Sequence, residues 1–193
     1  MKNTLLFYSK VVTLLLIGLC SSAYSQKNSK KIYIIEYEVL EAQKSDIKIS
    51  DKKAVKNYNQ LIQKANKLLK SKPFSVVNKI GVPPSKSKHD YVSIGPYWWP
   101  NPETANGLPY IRKDGEKNPE TRNNFTDYVE KDNFLVAIKT LTKAYYFSDQ
   151  KKYADKGLEL INAWFLEDAT KMNPNLNYGQ YIPGISVGRC FGI

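Results

Sequence analysis

Apolar residues recur at intervals of three and four in three stretches of the chain, which is the spacing of amphipathic helices. The first predicted helix covers residues 51–71, and the second begins at Asp127, which can cap it together with Glu130, and runs to about Phe147. After a turn at Ser148-Asp149, a third predicted helix runs to Glu167. Its buried side is expected to carry Tyr153, Ala154, Leu158, Ile161, Trp164 and Phe165. A turn this short predicts that the last two helices form an antiparallel hairpin.

Between these helices the pattern changes. Eight of the ten prolines fall between residues 72 and 126, so long helices are excluded there. A loop of this length inside a compact domain is usually functional or disordered, and its many aromatic residues argue against disorder. Before the first helix, residues 26–50 include the partly alternating stretch Ile32–Leu40, which favours an extended N-terminal segment.

The first 25 residues have the pattern of a secretory signal peptide. Lys2 and Lys10 precede the apolar run Val11–Leu19, which is too short to span a membrane, and small residues at 23 and 25 suit cleavage. A lipid anchor on Cys20 is the less favoured alternative, because Leu19 is bulky where lipoprotein processing prefers a small residue. We therefore expect a periplasmic or secreted protein that has no stable membrane insertion once the signal is removed.

Composition narrows the chemistry. The 193 residues include 29 Lys+Arg against 18 Asp+Glu, for a formal charge of +11, and 14 tyrosines. This excess of positive charge favours an anionic partner, and export makes an acidic polysaccharide a better candidate than nucleic acid. One histidine excludes a multi-histidine metal site, and two cysteines cannot form a disulfide framework. We expect neither a metal nor an organic cofactor.

Three polar and aromatic clusters could contact a ligand. The densest is His89–Asn101, which combines rings that stack on sugar faces with polar groups that bind hydroxyls. The same residues also suit a structural role, in which one of the two tryptophans packs in the core and the histidine only stabilises the fold. The second, Gly107–Glu116, contains Arg112, whose guanidinium can bind a carboxylate through two hydrogen bonds. The third, Asn173–Arg189, is rich in asparagine, which also serves simply to form turns.

Long strings within these clusters resemble the alginate lyase family. They are HDYVSIGPYWWP from His89, GLPYIRKDGE from Gly107, and NPNLNYGQ followed by IPGI and GR from Asn173. The resemblance covers about residues 50–193 and implies an all-α fold, an incomplete α/α-barrel or toroid of antiparallel helical hairpins with a long proline- and aromatic-rich loop segment. It also implies cleavage of a polyuronate such as alginate or glucuronan by β-elimination, without a cofactor.

Members of that family are about twice as long as this chain. Their catalytic asparagine–histidine pair and proton-transferring tyrosine lie in the later half, so residues 51–193 are expected to be the N-terminal portion of a truncated toroid that lacks them. Only substrate-binding roles are therefore carried over, onto His89, Tyr91, Tyr97, Trp98, Arg112, Asn177, Tyr178 and Arg189. Two alternatives remain open: a non-catalytic carbohydrate-binding helical protein of a glycan-uptake system, and an inactive truncated lyase.

Overall fold

The computed structural model describes residues 36–188, and the chain divides into two units, Met1–Ile49 and Ser50–Ile193. The predicted signal peptide, Cys20, Arg189 and Cys190 lie outside the described residues. In the first unit, helix α1 covers Tyr37–Lys48, so the extended conformation expected up to residue 50 is wrong for this segment. Glu, Ala, Gln and Lys are strong helix formers, and they outweigh the short alternation that ends at Leu40.

The second unit contains the three helices that the apolar spacing predicted. Helix α2 covers Lys52–Leu68, α3 covers Asp127–Ser148 and α4 covers Lys151–Phe165. The Asp51 side chain caps α2 by accepting a hydrogen bond from the Ala54 amide at 2.8 Å. Asp149, in the left-handed conformation with φ 55°, ends α3, so that α4 turns back and packs beside it. None of the helices within residues 36–188 is both long and apolar enough to cross a membrane.

The core lies where α3 packs between α2 and α4. Its main fully or nearly fully buried side chains are Ala65, Phe134, Ala137, Leu141, Ala144, Tyr153, Leu160 and Trp164. The rings of Phe134 and Trp164 stack with their centroids 5.0 Å apart. The Tyr153 hydroxyl donates to Asn66 Oδ1 at 2.9 Å, which joins α4 to α2 and satisfies a buried polar group.

The buried faces of the hairpin differ from those predicted. Leu158 and Phe165 of α4 are 58% and 54% exposed, and Leu160, which the prediction did not include, is fully buried. The inward face of α4 also carries Lys156, which is only 8% exposed and whose ammonium donates to Ser71 O. A prediction based on the spacing of apolar residues does not include a buried lysine. The buried face of α4 is therefore rotated around the helix axis relative to the predicted one. On α3, the apolar residues Leu135 and Tyr145 are likewise exposed.

The proline-rich segment forms short strands and 3-10 turns. Strand β1, Val92–Ile94, pairs in parallel with β4, Tyr178–Tyr181, while β2, Trp98–Trp99, pairs antiparallel with β3, Ile111–Arg112. The two 3-10 turns cover Val76–Asn78 and Pro119–Arg122. Long helices are absent from this part of the chain, as the prolines predicted.

The start of α3 also corrects one prediction. Thr126 occupies the N-cap position, and Asp127 is the first helical residue. The Asp127 carboxylate is fully buried and accepts a hydrogen bond from the Val92 amide at 2.7 Å, so it anchors β1 to α3 instead of capping its own helix.

Candidate functional site

A cleft of about 710 Å³ lies between the short sheet β1–β4, the Pro119–Arg122 turn and the first turn of α3. Its volume falls within the range of sites that hold small molecules or a few sugar units. The side chains with most chemical interest in its lining are Tyr97, Lys117, Arg122, Phe125, Tyr128 and Gln180. They come from three stretches that are separate in the sequence, so the cleft exists only in the folded chain.

One wall of the cleft is built by the pairing of β1 with β4. Val92 pairs with Tyr178 and Ile94 with Tyr181, so β4 has one extra residue and forms a bulge. Gln180 is in this bulge, with the left-handed φ of 56° that few non-glycine residues adopt, and its amide donates to Ser93 Oγ at 3.0 Å. The bulge thereby places Gln180 and Ser93 together at the cleft.

Asn118 fixes the opposite wall. It is 4% exposed, and its Nδ2 donates to Trp98 O at 2.9 Å while its Oδ1 accepts from the Glu120 amide at 2.9 Å. These bonds cap the Pro119–Arg122 turn and tie it to β2. As a result, Lys117 and Arg122 are held on either side of a rigid, buried asparagine.

The charge of the cleft is positive. Lys117 and Arg122 form no ion pair with a carboxylate among residues 36–188, whereas several cations elsewhere do. The Arg122 guanidinium lies 4.3 Å from the centroid of the Tyr128 ring, and the Lys131 ammonium lies 4.6 Å from the same ring. Lys131 is paired with Asp132, so Arg122 is the cation beside this ring that is left without a carboxylate partner in the described part of the chain. A cation beside an exposed ring suits a ligand that is both anionic and ring-shaped, as a uronate sugar is.

The predicted site residues are only partly brought together. Tyr97 lines the cleft, and Trp98 is half-buried next to it, with its ring against Gly95, where an added Cβ would come within 2.7 Å of Trp98 Cδ1. Arg112 pairs with Trp98 across the β2–β3 hairpin, but its side chain is 55% exposed and its Nε donates to Asp114 Oδ1 at 2.7 Å. Arg112 therefore has a carboxylate partner already and does not line the cleft.

His89 and its neighbour Asp90 join two loops. His89 Nδ1 donates to Lys171 O at 2.7 Å, and the Asn173 amide donates to His89 O at 2.9 Å. Asp90 Oδ1 accepts from the side chains of Asn173 and Asn175 at 2.7 and 3.2 Å. Burial by itself would raise the pKa of Asp90, but hydrogen bonds from Ser85 and the two asparagines hold that pKa below its ordinary value.

The remaining predicted residues are dispersed. Tyr91 is 7% exposed within the hydrophobic core, which corrects its expected place at the ligand, and burial raises its pKa to about 12. Tyr178 is half-buried on β4, and Asn177 is exposed with its amide bonded to Asn175 Oδ1. Tyr91 lies just before β1 and is buried, as Val92 is, whereas the next two residues, Ser93 and Ile94, line the cleft.

Several cleft residues were not given a substrate-binding role from the sequence, namely Lys117, Arg122, Phe125, Tyr128 and Gln180, although Gln180 lies within the third predicted cluster. The Asn118-Pro119 step did carry a signal, because asparagine before proline is a common start for a helical turn. Nothing local indicated that this turn would meet the start of α3. No group of three or more potential metal-binding side chains occurs in the described part of the chain.

Comparison with known proteins bears directly on this site. The family model described as alginate lyase matches residues 75–193, a range that contains every cleft residue. The chain belongs to the alginate lyase family. A crystal structure of an alginate lyase from Bacteroides ovatus matches with a TM-score of 0.70 and 44% sequence identity, covering 78% of this chain and 39% of that one. No curated protein matches the chain.

Membership of the alginate lyase family confirms the resemblance carried by the three motifs. The chain spans 39% of the length of the solved alginate lyase, so the similarity covers only part of that enzyme. The helical character of the chain agrees with that relative.

Proposed function

We propose that this chain supplies the substrate-binding part of a polysaccharide lyase that cleaves an acidic polyuronate, such as alginate or glucuronan, by β-elimination. Family membership supports the reaction class. The observation that carries the proposal is the cleft itself: it is lined by Lys117 and Arg122, which have no carboxylate partner among residues 36–188, and by Tyr97 and Tyr128, and Arg122 lies over the Tyr128 ring.

The chemistry explains why such a cleft is useful. β-Elimination removes the proton next to the uronate carboxylate and expels the sugar linked at the neighbouring position. An ionised carboxylate makes that proton weakly acidic, so positively charged or hydrogen-bonding donors must offset the charge that develops, and each donor contributes about 3 kcal/mol. Lys117 and Arg122 can bind uronate carboxylates, while the tyrosine rings stack on sugar faces.

We place the proton-transferring groups elsewhere in a longer lyase. The only histidine in the chain, His89, uses Nδ1 to hold the Lys171 carbonyl and does not line the cleft. We infer that an asparagine–histidine pair and a tyrosine from the part of the enzyme that this chain does not match complete the catalytic site. The described cleft would then bind sugars on one side of the bond that is cleaved.

The exposed apolar faces support a toroid. Leu135 and Val136 of α3 are 55% and 64% exposed, and Leu158 and Phe165 of α4 are exposed to a similar extent. In an α/α-toroid each hairpin packs against the next, so the outward face of one hairpin becomes the core of the following pair. We propose that a further helical hairpin covers these residues in the complete lyase domain. We also propose that the protein works in the periplasm or outside the cell, where such polysaccharides occur.

Calorimetric titration with alginate and glucuronan oligosaccharides tests the binding part of this proposal. Replacing either Lys117 or Arg122 by alanine should weaken binding about fivefold, because a partly exposed charge contact is worth about 1 kcal/mol. Lys139→Ala removes an exposed cation of α3 outside the cleft and should leave the affinity unchanged. Equal loss in all three variants would mean that overall charge, and not the cleft, attracts the polymer.

The reaction itself is tested by ultraviolet absorbance, because β-elimination leaves an unsaturated sugar. The gene product carrying the whole lyase domain should produce this signal from a polyuronate and not from a neutral glucan. A cleft that already contains rings and cations is also sufficient for a non-catalytic carbohydrate-binding protein of a glycan-uptake system. Binding without any rise in absorbance would select that second function.

A further inference from the structure

A fully buried ion pair lies behind the cleft. Lys79 Nζ is 2.9 Å from Asp127 Oδ2, and both side chains are completely inaccessible to solvent. The Lys79 ammonium also donates to Val76 O at 2.6 Å and to Lys88 O at 2.7 Å. An ammonium group has three hydrogens and no acceptor, so these three oxygens satisfy it fully in its charged form.

The pair links four segments of the chain. Lys79 holds the turn at residue 76 and the loop at residue 88, and Lys88 returns a bond from its own ammonium to Lys79 O at 2.8 Å. Asp127, at the start of α3, holds both Lys79 and the Val92 amide of β1 through Oδ2. A negative charge in the first turn of a helix is further favoured by the helix dipole.

Both ends of this network continue directly into the cleft. Ser93 follows Val92 on β1 and accepts a hydrogen bond from Gln180, and both of these residues line the cleft. Tyr128 follows Asp127 on α3 and stacks with Arg122, and these two also line it. One buried carboxylate thus fixes the distance between two cleft walls that are otherwise far apart in sequence.

Stability alone does not account for a pair of this kind. Burying two charges costs desolvation that their attraction barely repays, and apolar replacements are often as stable. A charged pair with fixed hydrogen bonds does, however, define one arrangement of the segments it joins. We propose that Asp127 and Lys79 are positioning residues, which set the spacing of the cleft walls and so its affinity for anionic sugars without touching the ligand. This inference rests on the proposed function.

The test compares variants that differ in hydrogen-bonding geometry. Asp127→Ala should bind oligouronates about tenfold more weakly, which is the size of effect expected from a substitution that acts on a binding site through intervening residues. Asp127→Asn keeps an oxygen that can accept from both Val92 and Lys79 but leaves the buried ammonium without a counter-charge, so it should bind more tightly than Asp127→Ala and less tightly than the wild type. Lys156→Met is the matched control, because it removes another largely buried ammonium, bonded to Ser71 O and Glu159, away from the cleft.

Amide NMR spectra of the unliganded variants give a second readout. The resonances of Gln180 and Arg122, neither of which touches Asp127, should move in Asp127→Ala and return in Asp127→Asn. If Asp127→Ala does not fold, Lys79→Met replaces it, with the same expected loss. Folded Asp127→Ala that binds like the wild type, or an equal loss in Lys156→Met, would overturn the inference. If the wild type itself binds no polyuronate, the proposed function is wrong. The positioning role of Asp127 is then tested by the NMR spectra alone: it is contradicted if the Gln180 and Arg122 resonances do not move in Asp127→Ala.

Discussion

Tyr91 gives the sharpest test of the structure, because its burial has a measurable consequence at high pH. The side chain is 7% exposed, and burial raises its pKa from the ordinary 10.0 to about 12. Between these two values the unfolded chain releases a proton that the folded chain retains. Tyr91 therefore contributes stability that is fully present below pH 10 and is lost as the pH rises through 12.

The magnitude follows from the shift. A difference of this size between folded and unfolded states corresponds to about 3 kcal/mol in total, of which about 1 kcal/mol is lost by pH 11. Tyr91→Phe cannot ionise, so its free energy of unfolding should fall less steeply with pH. At neutral pH the variant should lose about 1 kcal/mol, because the hydroxyl bonds to Ser93.

The assay is urea unfolding followed by circular dichroism at several pH values between 7 and 11.5, with Tyr145→Phe as the control because Tyr145 is 45% exposed. The wild type and Tyr145→Phe should lose stability together, while Tyr91→Phe diverges upward above pH 10. Parallel curves for all three proteins would refute the burial of the Tyr91 hydroxyl. A large loss of oligouronate affinity in Tyr91→Phe would restore the role in substrate binding that the sequence predicted.

Two further predictions concern the hairpin and the loops. In denaturant unfolding, Leu160→Ala should destabilise the protein by about 3 kcal/mol and Leu158→Ala by less than about 1 kcal/mol, because Leu160 is buried and Leu158 is exposed. The reverse order would favour the buried face of α4 that was predicted from the sequence. Asp90, whose lowered pKa reflects hydrogen bonds to its charged form, should contribute stability above its unfolded pKa that is lost as the pH falls through the folded value. Asp90→Asn should flatten this acid dependence, and an unchanged acid midpoint would contradict it.

Helix positions were the most predictable part of the fold. The spacing of the apolar residues and the turn at Ser148-Asp149 predicted helix limits close to those of α2, α3 and α4. Which face of α4 is buried was less predictable, because apolar residues occur on two sides of it. The choice between Leu158 and Leu160 depended on where α3 packs, and that is not encoded locally.

The cleft was predictable only in part. The aromatic string around Tyr97 indicated a sugar-binding segment, and Tyr97 does line the cleft. Arg112 also looked suitable from its sequence, but a carboxylate two residues away, Asp114, already pairs with it. Arg122 was not a predicted site residue, yet it is one of the two cations that line the cleft, because the Asn118 cap turns its segment towards Tyr128.

The sequence by itself determined the helices, the irregular proline-rich segment and the family, because these depend on local spacing, backbone restrictions and long motifs. Tertiary structure decided which side chains share a site. Lys117, Arg122, Tyr128 and Gln180 meet only because a bulge, an asparagine cap and the buried Asp127 carboxylate bring their segments together. Hydrogen bonds between residues far apart in sequence leave no periodic pattern, which is why the basic aromatic cleft had to be found in three dimensions.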